Sequence, residues 1–181
     1  EDGDLEEAAA SYRRAAELRP DDVRAQTNLG TVLPQLGRQN EALAALEQAR
    51  DVSPGSTKVH QGLGHVLQSL GRLEEAVDSF RKSVELDVEN ADSHFFLGLC
   101  LQSLGHLSEA ADSLGEAVRL YPGYPGYVSA LAHLQQAMSD YAPAQSNFQR
   151  AIQLDPQDSE SWYGMGAVLY ATGRQLEAIQ A

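Results

Sequence analysis

Gly62-Leu-Gly64 and Gly164-Met-Gly166 each set two glycines one residue apart, as at the start of a phosphate-cradling GxGxxG loop. Leu67 and Leu169 stand where the third glycine belongs, and the apolar spacing on either side is that of a helix rather than a strand. These glycines therefore read as close-packing residues. The histidines offer no better chemistry. His60 and His94 occupy the position where Trp162 stands and read as packed side chains; His106 falls in a turn. His65 and His133 face one side of their helices but lie 68 residues apart, too far along the chain to share a metal, and none has metal-ligand spacing to a carboxylate. Cys100 takes the position of Val32, Val66 and Val168, so it reads as a buried inert thiol. Glu6-Glu7 and Glu74-Glu75 open helices, where acids favour the positive N-terminal dipole, and are not an acid–base pair. The expectation is a chain without a catalytic constellation in residues 1–181, without cofactor and without metal.

Composition narrows the partners. Lys plus Arg number 13 against 26 Asp plus Glu, a net charge of −13. Such a surface repels phosphate backbones and anionic headgroups, which argues against nucleic acid. No run of about 18 apolar residues suggests membrane insertion. A lone cysteine excludes an intramolecular disulfide. The opening Glu-Asp-Gly-Asp lacks a basic-then-apolar leader pattern; an excerpt would lack one in any case, so the compartment stays open.

The elements that position these residues follow from a recurrence. LQSLG at 67–71 returns at 101–105, an offset of 34 residues, and the whole chain keeps that period. Ala8, Ala42, Ala76, Ala110, Ala144 and Ala178 share one position; Gly3, Gly37, Gly71, Gly105, Ser139 and Gly173 share another; Pro20, Pro54, Val88, Pro122 and Pro156 a third. Val59, Leu63, Val66, Leu67 and Leu70 trace one helical face that ends at Gly71. Leu73, Ala76, Val77, Phe80 and Val84 trace a second. Asp22, Ser56, Asn90 and Asp158 are expected N-caps, and glycine suits a tight helix stop in the left-handed region.

The period, the paired helices, and Leu29-Gly30, Leu63-Gly64 and Leu97-Gly98 followed by Gly, Ala and Pro resemble the tetratricopeptide repeat, with Trp162 the best local match. That resemblance implies an all-α solenoid of tandem helix–turn–helix units forming a right-handed superhelix. In that frame residues 1–22 are a second helix without its first, 23–56, 57–90, 91–124 and 125–158 are units, the last irregular, and 159–181 is incomplete. The expectation is an excerpt of a longer array, whose open ends could also pair as a homo-oligomer.

Two breaks stand out. Pro34 lies inside a helix, where it removes a hydrogen bond at a cost of about 3 kcal/mol, so a kink or early end is expected. LYPGYPGY at 120–127 resembles a linker, yet the period runs through it; it reads as a stiff turn with Pro125 in the next helix's first turn. Gln135 and Ser139 depart from the leucine and glycine of other units, and a local change of helix angle is expected there.

In the resembled family the first helices line a concave groove. Carried over by position, this implies a groove containing Asn28, Lys58, Gln61, His65, Gln68, Phe95, Phe96, Leu99, Gln102, His133, Gln136, Tyr163 and Tyr170. Its charges, Arg24, Lys58, Asp92 and Glu160, sum to zero, leaving the acidic excess on second helices and turns. Phe95 and Phe96 point about 100° apart, so at least one should be exposed and available for recognition. Gln68, Gln102, Gln136 and Asn28 would hold a peptide backbone. Thr27 with Thr31 and Gln61 with His65 do not supply the Lys/Asn pair of a chaperone-tail clamp, and only Asn28 fits an asparagine ladder. The leading expectation is a non-catalytic scaffold binding a protein or peptide, extended or helical; the alternative is the substrate-recruiting arm of a larger enzyme, such as a glycosyltransferase.

Overall fold

The computed structural model describes residues 2–174. Ala178 and most of the second helix expected after Gly173 lie outside the described residues. Among the described residues there are ten α-helices, one short 3-10 helix and no strand. They divide into two units between Glu89 and Asn90. The first holds α1 (Asp2–Leu18), α2 (Val23–Val32), α3 (Gln39–Val52), α4 (Thr57–Ser69) and α5 (Leu73–Leu86). The second holds α6 (Ala91–Ser103), α7 (Leu107–Leu120), α8 (Pro125–Ala137), α9 (Tyr141–Leu154) and α10 (Ser159–Ala171).

One backbone device ends every first helix. The Arg72 N–H donates to Leu67 O at 2.9 Å and Gly71 N–H to Gln68 O at 3.0 Å, the paired bonds of a Schellman stop. The same two bonds recur at Gly37–Arg38, Gly105–His106, Ser139–Asp140 and Gly173–Arg174. The motif needs a left-handed residue, and Gly71 takes φ 73°. Ser139 takes φ 62°, the one non-glycine residue with positive φ among those described. The turn is thus kept although the preferred residue is lost.

Helix starts are of two kinds. Asp22 accepts from the N–H groups of Arg24 and Ala25, Asn90 from Ser93, and Asp158 from Glu160. Ser56 does not cap as expected: the Val59 and His60 N–H groups go to its backbone carbonyl instead. The second helices α3, α5 and α7 have no side-chain cap. There an acid in the first turn faces the helix dipole and is gripped by the preceding residue: Arg38 holds Glu41 and Arg72 holds Glu75, each at 2.6 Å, and His106 lies 3.3 Å from Glu109.

Pro34 ends α2 early. The α-helix stops at Val32 and Leu33–Leu36 tighten into the 3-10 turn before Gly37. Pro125 is the first residue of α8, where its missing N–H has no bond to lose.

Leu46, Phe80, Leu114 and Phe148 fill one repeat position and are fully buried, as are Ala42, Ala76, Ala110 and Ala144. Opposite the large residues stand small ones. A Cβ on Gly64 would lie 2.6–2.8 Å from three Phe80 ring carbons. Burial of a side chain of this size contributes about 2–3 kcal/mol, and the glycine makes the approach possible. Cys100 is fully buried, which pushes its thiol up to about 11.

Candidate peptide-binding surface

In the first unit the candidate face is carried by α2 and α4. Asn28, Lys58 and His65 are exposed; Gln61 and Gln68 are half-buried. Thr27, Thr31 and Gln35 spend their side chains on backbone carbonyls of their own helix, at 2.6, 3.2 and 3.1 Å. His65 sets its ring edge-on to Phe80, centroids 5.2 Å apart, so it is anchored by the core position beneath it. Both basic residues expected in the groove, Arg24 and Lys58, belong to this unit.

In the second unit the face is carried by α6, α8 and α10, and its rings form a continuous row. Phe96 meets Phe95 edge-on at 5.1 Å; Phe95 meets Tyr127 at 4.9 Å; Tyr127 meets Tyr124 at 4.6 Å. Each pair is within the favourable range for offset or edge-to-face aromatics. Phe95 and Phe96 are both half-buried, so neither is lost to the interior and the expectation that at least one is exposed is met only in part. The cause is mutual cover, since each ring shields the other and Tyr127 shields Phe95 from the next helix. Leu99, Gln102, His133 and Gln136 are half-buried beside them, while Tyr163 and Tyr170 are 77% and 68% exposed on α10.

Tyr127 was not among the residues inferred for the face. It occupies the repeat position of Ala25, Val59, Ser93 and Ser161, all interior, and is itself buried. Its ring is long enough to cross to α6, where its hydroxyl donates to the Asp92 carboxylate. Burial, and then that hydrogen bond, raise the hydroxyl well above the ordinary tyrosine range. The signal lay in the three tyrosines of 120–127, which as a stiff turn carried no recognition role.

Beside the row, α8 and α10 enclose a cleft of about 470 Å3 lined by Pro125, Gly126, Ser129, Ala130, His133, Asp155, Asp158 and Glu160. His133 is set edge-on to Phe148, 4.8 Å between centroids, as His65 is to Phe80. Ser161 Oγ donates to Asp158 Oδ2 at 2.6 Å and lies 3.0 Å from Ser129 Oγ, whose hydroxyl can donate to it. The Ser161 bond holds the Asp158 carboxyl below its usual range. Both acids expected in the groove, Asp92 and Glu160, lie in this unit, so the zero charge sum conceals a separation by unit.

His60 and Trp162 share a role at one repeat position. The His60 Nε2 sits 2.8 Å from Pro54 O, and Trp162 Nε1 donates to Pro156 O at 3.1 Å, each tying a helix to the turn before it. His60 is buried, whereas Trp162 is partly exposed. Among the described residues no group of three His, Cys, Asp or Glu side chains is arranged to hold a metal, and no helix is long and apolar enough to cross a membrane.

Four family models tile the chain: one described as TPR repeat at residues 1–37, and three described as tetratricopeptide repeat at 23–55 and 127–158, 62–125, and 147–180. The chain is a tetratricopeptide repeat protein. No curated protein matches the chain. Solved structures do. YrrB, titled a TPR protein with an unusual peptide-binding site, is 22% identical, with 95% of this chain and 89% of that one covered at a TM-score of 0.82. MamA from Desulfovibrio magneticus RS-1 is 18% identical, covering 87% and 89% at 0.82. PilF of Pseudomonas aeruginosa is 20% identical, covering 98% and 81% at 0.86. At these identities the likeness is one of fold, an all-α helical repeat.

Proposed function

We propose that this repeat protein is a non-catalytic scaffold that takes a segment of a partner protein, as an extended peptide or a helix, against the first-helix face. The observation that carries the reading is the row Phe96–Phe95–Tyr127–Tyr124 in the second unit. Phe95 and Phe96, held by each other and by the buried Tyr127, lose little conformational entropy on binding and present apolar area that is only half covered, which suits them to be interface anchors. The glutamines Gln102 and Gln136 beside the row carry both donors and acceptors, the requirement for holding a peptide backbone. In the first unit Asn28, Gln61 and Gln68, with Lys58 and His65, offer a more polar surface of the same kind.

The test is to pan a peptide library on the full chain and measure the selected peptide against Phe96→Ala. Loss of the ring should weaken binding by about 1 kcal/mol or more, roughly fivefold, with the far-UV spectrum unchanged. Equal affinity for both proteins removes Phe96 from the site. Failure of any peptide to bind counts against the reading as a whole.

A further inference from the structure

We infer that the second unit's face selects a partner segment carrying an arginine or lysine next to an apolar side chain. This rests on the peptide-binding reading of that face and adds the chemistry of what it accepts. The cleft between α8 and α10 has an apolar wall of Pro125, Gly126 and Ala130. Its charged lining is entirely acidic: Asp155, Asp158 and Glu160, with no lysine or arginine. Its volume of about 470 Å3 falls within the ordinary range of ligand clefts, roughly 300–1,000 Å3.

Occupants differ in how well they match this lining. An acidic side chain would face three carboxylates and is repelled. A purely apolar one would cover the carboxylates and strip their water without supplying a counter-charge. A lysine or arginine satisfies both parts, laying its methylene stem on the proline and alanine wall and its charged head at the carboxylates. The adjoining apolar residue of the same segment then meets the exposed Tyr124 ring, which lies against Gly126 of that wall.

The carboxylates are not equally free to respond. Asp155 accepts from the Gln157 N–H, and Asp158 accepts from both the Glu160 N–H and the Ser161 hydroxyl. Glu160 is exposed on the first turn of α10 and is the clean position to test, since replacing it leaves these caps in place.

Three pools of a nonapeptide library, each with a fixed leucine next to a fixed arginine, citrulline or glutamate, are titrated onto the full chain. Exposed ion pairs contribute up to about 1 kcal/mol, so the arginine pool should bind about fivefold tighter than citrulline, and glutamate weakest. Glu160→Gln should remove most of the arginine advantage and leave citrulline binding unchanged. Glu74→Gln, which removes the same charge from α5, should leave the advantage intact. Equal binding of the three pools overturns the inference, as does equal loss in the two variants, which would assign the preference to the net charge of −13 as a whole. Phe96→Ala run on the citrulline pool separates the two levels: weakened binding there keeps the peptide-binding reading even when the arginine preference fails.

Discussion

The same substitution at two glycines should move stability in opposite directions. Gly64 lies inside α4 and faces Phe80; Gly115 lies inside α7 with nothing within 4 Å of where its Cβ would be. Alanine in a helix interior is favoured over glycine by about 1 kcal/mol, so Gly115→Ala should stabilise by roughly that amount. At Gly64 the new methyl would stand 2.6–2.8 Å from the Phe80 ring, against a comfortable carbon separation of about 3.5–4.0 Å. One helix or the ring must therefore shift by roughly an ångström. Phe80 is fully buried, with the His65 ring against it, so it has little room to yield. Overpacking of this kind costs about 1–3 kcal/mol, which after the helical gain leaves a net loss of about 1 kcal/mol. Urea unfolding followed by circular dichroism measures both. Repeat arrays can depart from two-state unfolding, so midpoints are compared only where the slope is unchanged. If both variants stabilise equally, close packing of the helix pair through Gly64 is wrong.

Ser139→Gly should stabilise the protein by roughly 0.5–1 kcal/mol, because φ 62° strains a residue with a Cβ; a lowered melting temperature would contradict the assigned turn. The carboxyls of Glu41 and Glu75, held down first by the guanidinium hydrogen bonds of Arg38 and Arg72, and of Asp158, held down first by Ser161, contribute stability while ionised. That contribution is present above the ordinary values of 4.5 for glutamate and 3.8 for aspartate and is lost as pH falls through the lower folded values, so urea midpoints should drop in that acid range. A midpoint that rises on acidification refutes it. Cys100, with its thiol pushed up to about 11, should ignore a disulfide reagent at pH 8 until urea unfolds the chain; fast native labelling would place it at the surface.

The repeat frame was legible because small residues and stops recur at one spacing, and each has a local physical cause. Pro34 and Pro125 acted as their backbone chemistry requires. The misses share a different cause. Tyr127 stands at an interior position of its own repeat, and only the next helix shows that its hydroxyl reaches Asp92. The angle between Phe95 and Phe96 on one helix does not fix their exposure, which is set by each other and by Tyr127. Ser56 has a capping residue's identity, but its hydroxyl makes no cap hydrogen bond, although its carbonyl is placed like that of the capping Asp22. Contacts between helices of different repeats carry no periodic signature, and the Phe95–Tyr127 contact that joins α6 to α8 in the aromatic row is one of them.

The most direct measurement is chemical-shift mapping of the isotope-labelled full chain titrated with the tightest panned peptide. Binding at the first-helix face should perturb α6 and α8, with the largest changes at Phe95, Phe96, Tyr127 and Ala130. Perturbations confined to the second helices α7 and α9, at residues such as Glu116 and Gln149, would contradict it and move the interface to the other side of the helix pairs.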